Sequence, residues 1–251
     1  MHKPTPRDLI ISLMVILFGW QCLVWVSGAP AFILPDPIRV ALAFYHNFGL
    51  LWEHFLVTTT EVLIGLILGS LLGALTALYL TMSRTAQRFL MPALVLTQTI
   101  PVFALAPILT LWLGYGLSSK IAMALLIIYF PVTSTFFDGL RNTPRGYLDL
   151  AYSMRATRWR TLFQVRVPAA LPSLASGIRL AAVYAPIGAV IGEWVGASRG
   201  LGYLMLLANG RVKIDLMFAA LIALCLLTIG LRSIVDLIGR RIEQRTSPEM
   251  E

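Results

Sequence analysis

Charge is scarce in this chain of 251 residues: Asp, Glu, Lys and Arg make up 13% of it, while hydrophobic residues make up 58%. Mean hydropathy is +0.79. Ordinary soluble proteins carry roughly 25% charged residues. A soluble fold of this size has too little interior to hide so much apolar surface, and disorder is excluded for the same reason. Cysteine is nearly absent. Cys22 and Cys225 both lie in apolar runs, which excludes a disulfide-stapled fold. Histidine occurs only at 2, 46 and 54, with no H-E-x-x-H pair and no cysteine cluster, so no metal or other cofactor is indicated. His46 and His54 read as outer-surface residues. A phosphate-binding P-loop needs Gly-Lys, and Lys3, Lys120 and Lys213 follow His, Ser and Val. There is no G-x-S-x-G nucleophile elbow. No catalytic residue is indicated, and any nucleotide-driven work must come from another chain. What remains is an integral membrane protein.

About 20 helical residues cross a hydrocarbon core of about 30 Å. The gaps between charged residues predict six spans, at about 9–27, 57–81, 90–113, 119–138, 173–195 and 216–238. The first is longer than a signal-peptide core of roughly 7–15 residues and reads as a retained anchor. The runs are too long, and alternate too little, for barrel strands. With a cytoplasmic N-terminus, 13 basic residues fall inside, among them Lys3, and 5 fall outside, including Lys120; Arg179 and Arg232 lie in spans. This asymmetry predicts that both termini are cytoplasmic. It also accounts for the net charge of +8 without nucleic-acid binding. The fold class is therefore all-α and integral to the membrane, with 1–251 as one domain.

Asp36-Pro37 reads as a helix N-cap and first turn, and the spacing of Ile38, Ala41, Leu42, Tyr45, Phe48 and Trp52 predicts a surface helix over 37–53. The third span contains Pro92, Pro101 and Pro107. Irregular backbone at membrane depth needs protein or water to cover it, so this span should face a bundle interior or a second subunit. Thr97, Gln98 and Thr99 precede Pro101; they line a polar path or repair the hydrogen bonds that the proline frees. Gly65, Gly69, Gly73 and Ala77, and again Gly188, Gly192 and Gly196, place small residues on one helix face for close packing. Glu61 and Glu193 are placed near the outer ends of their spans, either as structural groups or as a gate or substrate contact. Arg179 is within snorkelling reach of the inner surface, and Arg232 and Asp236 are spaced to pair. Residues 139–170 form the longest inside connection. Leu148, Ala151, Tyr152, Arg155, Trp159 and Leu162 recur at helical spacing, which predicts one or two short cytosolic helices. Its six arginines suit an anchor on anionic lipid or a docking element for a cytosolic partner.

Asp149-Leu150-Ala151, then Arg155-Ala156, then Val165-Arg166-Val167-Pro168 resembles the EAA loop of ABC importer permeases. In that pattern Glu-Ala-Ala precedes a glycine, and an Ile-x-Leu-Pro closes it, at the spacing seen here. Asp149 replaces the glutamate, Leu150 the first alanine and Arg155 the glycine that permits a turn. Leu34-Pro35-Asp36-Pro37, Gln98-Thr99-Ile100-Pro101 through Ala106-Pro107, Trp112 to Gly116, and Gly192-Glu193-Trp194 through Gly200-Leu201-Gly202 look like the nitrate/sulfonate/taurine branch, which also includes permeases for pyrimidine precursors and riboflavin-type compounds. The resemblance implies a multi-pass permease of the bacterial inner membrane, not an enzyme. It implies a homodimer with two ATP-binding cassette ATPase subunits and an external solute-binding protein. It places Asp149, Leu150, Ala151, Arg155, Ala156, Val165, Val167 and Pro168 in the ATPase-coupling loop. Thr97, Gln98, Pro101 and Glu193 are the candidates for the translocation path. The competing classes are an ion-driven transporter or channel, and a membrane enzyme acting on lipid; the chain offers few titratable groups for either.

Overall fold

The computed structural model describes residues 6–246, which are helical nearly throughout; Lys3 lies outside them. Helix α1 (Pro6–Ser27) begins on proline, whose missing N–H costs nothing in a first turn. Its apolar stretch has no buried residue, so it stands away from the bundle. Trp20 tethers it, donating from Nε1 to the Pro35 carbonyl at 3.1 Å and stacking on Phe218 at 5.6 Å.

Helix α2 (Pro37–His46) starts as predicted, with the Asp36 carboxylate accepting from the Arg39 N–H at 2.8 Å. It does not run to residue 53. The Asn47 side chain donates to the Ala43 carbonyl at 2.8 Å and closes the helix, the local competition that makes asparagine a helix breaker. Phe48 then opens α3 (Phe48–Met82), a helix of 35 residues and about 52 Å, long enough to project beyond the apolar core.

The third predicted span is a broken pair. Helix α4 (Arg84–Thr97) and helix α5 (Val102–Leu113) meet at 99°. Pro101 cannot donate a backbone hydrogen bond and drives the preceding residue out of the helical region, whereas Pro92 and Pro107 are absorbed within their helices. Helix α6 (Leu117–Arg141) follows, then α7 (Arg145–Ser153), the single turn α8 (Arg158–Thr161) and a π-helical turn (Leu162–Arg166) that runs directly into α9 (Val167–Gly196). Between the last two spans the connection forms a short apolar helix, α10 (Leu201–Gly210), before α11 (Ile214–Thr246). Helices α1, α3, α6, α9 and α11 are long and apolar enough to cross a membrane, and the α4–α5 pair makes a sixth crossing when taken as one span.

The centre is a seam of α3, α6 and α9. The predicted small-residue faces make it. A methyl added at Gly188 would stand 2.6 Å from the Ala124 Cα, and one at Gly65 2.7 Å from the Ala124 Cβ. Apolar association gains little from water exclusion in lipid, so close backbone approach through dispersion carries the packing. Arg179 pairs with Asp236 at 3.0 Å and Glu243 at 2.7 Å, joining α9 to α11. One predicted pairing changes. Asp236 takes Arg240, at 2.6 Å, rather than Arg232, because an acid one turn N-terminal to a base is the favoured order on a helix.

Replacing Gly188 with leucine should lower stability by about 1–3 kcal/mol through overpacking against backbone. Gly230→Leu, where nothing lies within 4 Å, should leave it unchanged. Thermal unfolding of the two variants in detergent reads the difference.

Candidate functional site

The segment joining α6 to α9 is an elbow. Helix α7 ends in a Schellman turn: the Ala156 N–H donates to the Ala151 carbonyl at 2.9 Å and the Arg155 N–H to the Tyr152 carbonyl at 2.9 Å. Such a turn needs a left-handed residue, and Arg155 supplies it with φ of 52°. The arginine at the expected glycine position therefore keeps the turn, at a cost of about 1 kcal/mol for a residue bearing a Cβ. Thr157 caps the next turn, accepting from the Arg160 N–H at 3.4 Å. Ala151 is buried against the rest of the elbow. Asp149, Leu150 and Arg155 are exposed, and Ala156, Val165, Val167 and Pro168 are half-buried. Tyr152, Met154, Trp159 and Phe163 are exposed as well, and the Trp159 and Phe163 rings stack at 5.7 Å. The elbow thus presents an apolar and aromatic surface on a short, locally braced scaffold.

The other sequence-predicted residues separate into two places. At the α4–α5 break, the Thr97 hydroxyl donates to the Leu94 carbonyl at 2.6 Å and the Thr99 hydroxyl to the Leu96 carbonyl at 2.8 Å. The first satisfies a carbonyl that the break leaves open, and the second adds to the bond that the Leu96 carbonyl already accepts from the Thr99 N–H at 3.1 Å. Gln98 and Pro101 are exposed. Glu193 is elsewhere, 1% exposed, with no contact to the break.

Glu193 caps α10. Its Oε2 accepts from the Gly202 N–H at 2.5 Å and the Tyr203 N–H at 3.3 Å, and its Oε1 from the Thr58 hydroxyl at 2.6 Å. Thr58 Oγ1 accepts in turn from the Leu201 N–H at 2.8 Å, and His54 Nδ1 from the Gly200 N–H at 2.9 Å. The N–H groups that open a helix have no partners within it, and here three side chains take all four. The carboxylate also meets the positive end of the helix dipole. Gly200 has φ of +116°, and a Cβ there would collide with the Glu193 carboxylate, so this position needs glycine twice over. Beside the cap, Lys120 Nζ lies 3.3 Å from Glu61, with both side chains at 9% exposure or less. Lys120 is therefore not the outside loop residue that the charge count made it: buried at the first turns of α6, it offsets the buried Glu61 carboxylate.

His54, Thr58 and Lys120 were not legible as members of this cluster, although a signal exists. Residues 54, 58 and 61 step by four and three, and so continue toward the N-terminus of α3 the helix face that carries Gly65, Gly69 and Gly73. The outer-surface placement of His54 is thereby corrected: it is 8% exposed, held under the Gly200 turn.

Residues 65–248 match the family of binding-protein-dependent transport system inner membrane components, and the chain belongs to that family. It is 50% identical over 227 residues to a probable ABC transporter permease protein of Haemophilus influenzae, covering 90% of this chain and 93% of that protein. It is 39% identical to a riboflavin transport system permease protein of Chloroflexus aurantiacus, covering 92% and 87%. A formylaminopyrimidine transport permease protein of Halalkalibacterium halodurans is 40% identical, covering 79% and 78%. The fold is shared with a chain of the MetNI methionine ABC transporter in an inward-facing conformation, at a TM-score of 0.61 and 22% identity over 76% of this chain and 93% of that one. The chain is thus the permease subunit of an ABC importer, a multi-pass component of the inner membrane and a transport subunit rather than an enzyme.

Lys120→Met leaves Glu61 buried without a counter-charge and should cost about 3–5 kcal/mol, whereas Lys120→Met with Glu61→Leu should regain most of it. Unfolding midpoints of the single and double variants in detergent check this. An equal loss in both would mean that the pair is not what the cluster needs.

Proposed function

We propose that 1–251 forms one permease unit that works as a homodimer with two ATP-binding cassette ATPase subunits and an external solute-binding protein, with both termini and residues 139–170 on the cytoplasmic side. The observation that carries this reading is the elbow: Leu150, Tyr152, Met154 and Trp159 lie 59%, 87%, 73% and 59% exposed on a segment too polar to enter lipid. An apolar patch rimmed by arginine, outside the membrane, is a surface for a protein partner. Asp149, Leu150 and Arg155 contact the ATPase. Ala151, Ala156, Val165, Val167 and Pro168 hold the elbow to the base of α9, so that movement of the docked partner passes into that span through the continuous π turn.

The second copy covers the α4–α5 break. Residues 95–101 are exposed on the single chain, and irregular backbone at membrane depth persists only beneath protein or beside water. Covered in this way, Thr97, Gln98 and Pro101 border the path between the two copies. Glu193 acts at one remove, by holding α10 at the outer end of that path. The solute is a neutral nitrogen heterocycle of flavin or pyrimidine type. Two relatives named for such cargo share about two residues in five with this chain, and no cluster of arginines marks the break for an anion.

Leu150→Glu should weaken ATPase co-purification by about 30-fold, the scale of one interface hot spot, and abolish ATP-dependent uptake. Its unfolding midpoint should stay unchanged. Uptake at the wild-type rate, or uptake driven by an ion gradient without ATP, would overturn the docking role.

A further inference from the structure

Behind the elbow lies a cleft of about 870 Å³, and its walls bring together parts of the chain that are distant in sequence. Thr81, Ser83 and Arg84 come from the turn between α3 and α4; Arg158, Thr161 and Arg166 come from the elbow. Among the described residues no carboxylate is within ion-pair distance of Arg84, Arg158 or Arg166. Three arginines therefore line one cleft without a carboxylate paired to any of them among the described residues. Guanidinium recognises phosphate oxygens through paired hydrogen bonds, and hydroxyls beside it complete such a site.

A second observation says what else the ligand carries. Arg84 also borders a shallow, largely open groove of about 610 Å³ along one face of α4, lined by α4 alone. Arg84, Arg88, Met91 and Val95 follow one helix face, so the groove has basic residues at one end and an apolar wall of Met91, Pro92 and Val95 beyond them. A cationic cleft joined to an apolar groove matches a molecule with an anionic phosphate head and a hydrocarbon tail.

We propose that this junction is a binding site for one anionic phospholipid of the inner leaflet. Its phosphate sits between Arg84, Arg158 and Arg166, and an acyl chain lies along Met91, Pro92 and Val95. The placement at the inner surface rests on the orientation proposed above; the chemistry of the site does not. The bound lipid bridges the α3–α4 turn to the elbow, so the membrane itself braces the element that carries the ATPase. Free phosphate would use the cleft and leave the groove empty. A second copy of the chain would use the groove and ignore the cleft.

The test reads lipid retention, not transport, so it stands apart from the co-purification test of the ATPase role. The purified chain, with and without its ATPase, is stripped of lipid, exposed to phosphatidylglycerol or phosphatidylcholine, and weighed by native mass spectrometry. One tightly retained phosphatidylglycerol per chain is expected, with phosphatidylcholine lost. Arg84→Gln with Arg166→Gln should reduce retention by about fivefold per arginine, the contribution of one basic residue near an anionic surface. Val95→Trp should reduce it by filling the groove. Should those variants fail to fold, the unaltered chain still decides: dihexanoyl phosphatidylglycerol should bind at least about tenfold more tightly than glycerol phosphate, since burial of each methylene contributes about 0.8 kcal/mol. Equal binding of those two compounds would identify a free-phosphate site and overturn the proposal. So would equal retention of both lipids, retention only in the absence of the ATPase, or a disulfide between the Val95→Cys positions of two copies lacking Cys22 and Cys225.

Discussion

The close approach of α3, α6 and α9 is the constraint on which the remaining structure depends. Lipid removes the hydrophobic drive that would hold these helices together in water, so contact distance has to supply the cohesion. Ala124 is met from one side by Gly65 and from the other by Gly188, and the α6 backbone is thereby clasped between its neighbours. One turn further out, Gly192 lies against Lys120 in the same register. That register is what brings Lys120 to Glu61 and sets Glu193 beneath the start of α10. The polar cluster is therefore a consequence of apolar packing: the charges are affordable only because the seam seals them from lipid.

The cluster and the elbow play complementary mechanical parts at opposite ends of α9. At one end Glu193, Thr58 and His54 take the four free N–H groups of α10, which fixes that short helix to both α3 and α9. At the other end the π turn continues without a break into α9, and the elbow hangs from it. A helix of 30 residues thus connects the capped start of α10 to the exposed elbow. Arg179, paired with Asp236 and Glu243, adds α11 to the same body nearer the elbow.

The left-handed turn at Arg155 shows how a motif survives the loss of its signature residue. The turn is defined by two backbone hydrogen bonds, from Arg155 and Ala156, which do not depend on the side chain at the strained position. Glycine lowers the cost of that backbone conformation, and the surrounding helix ends bear the cost when it is absent. Val212, at φ of 57°, closes α10 in the same way, with Lys213 donating to the Ala208 carbonyl at 2.9 Å. Both turns are imposed by the elements they join.

Membrane residence, a count of five to six spans, the small-residue faces and the helical character of the connection over 139–170 were all legible in the chain, because each follows from local quantities: run length, charge spacing and periodicity. Pro101 announced an irregularity, although not its size, since the 99° bend depends on where α5 must pack. The end of α2 at Asn47 and the existence of α10 were missed for the same kind of reason: a short helix is decided by its caps, and the caps of α10 come from residues up to 146 positions away. Only the folded chain put His54, Thr58, Glu61, Lys120 and Glu193 together, and only it placed Arg84, Arg158 and Arg166, without an acidic partner among the described residues, around one cleft. A buried charge reveals itself through its partner, and partners drawn from different helices have no sequence spacing to betray them.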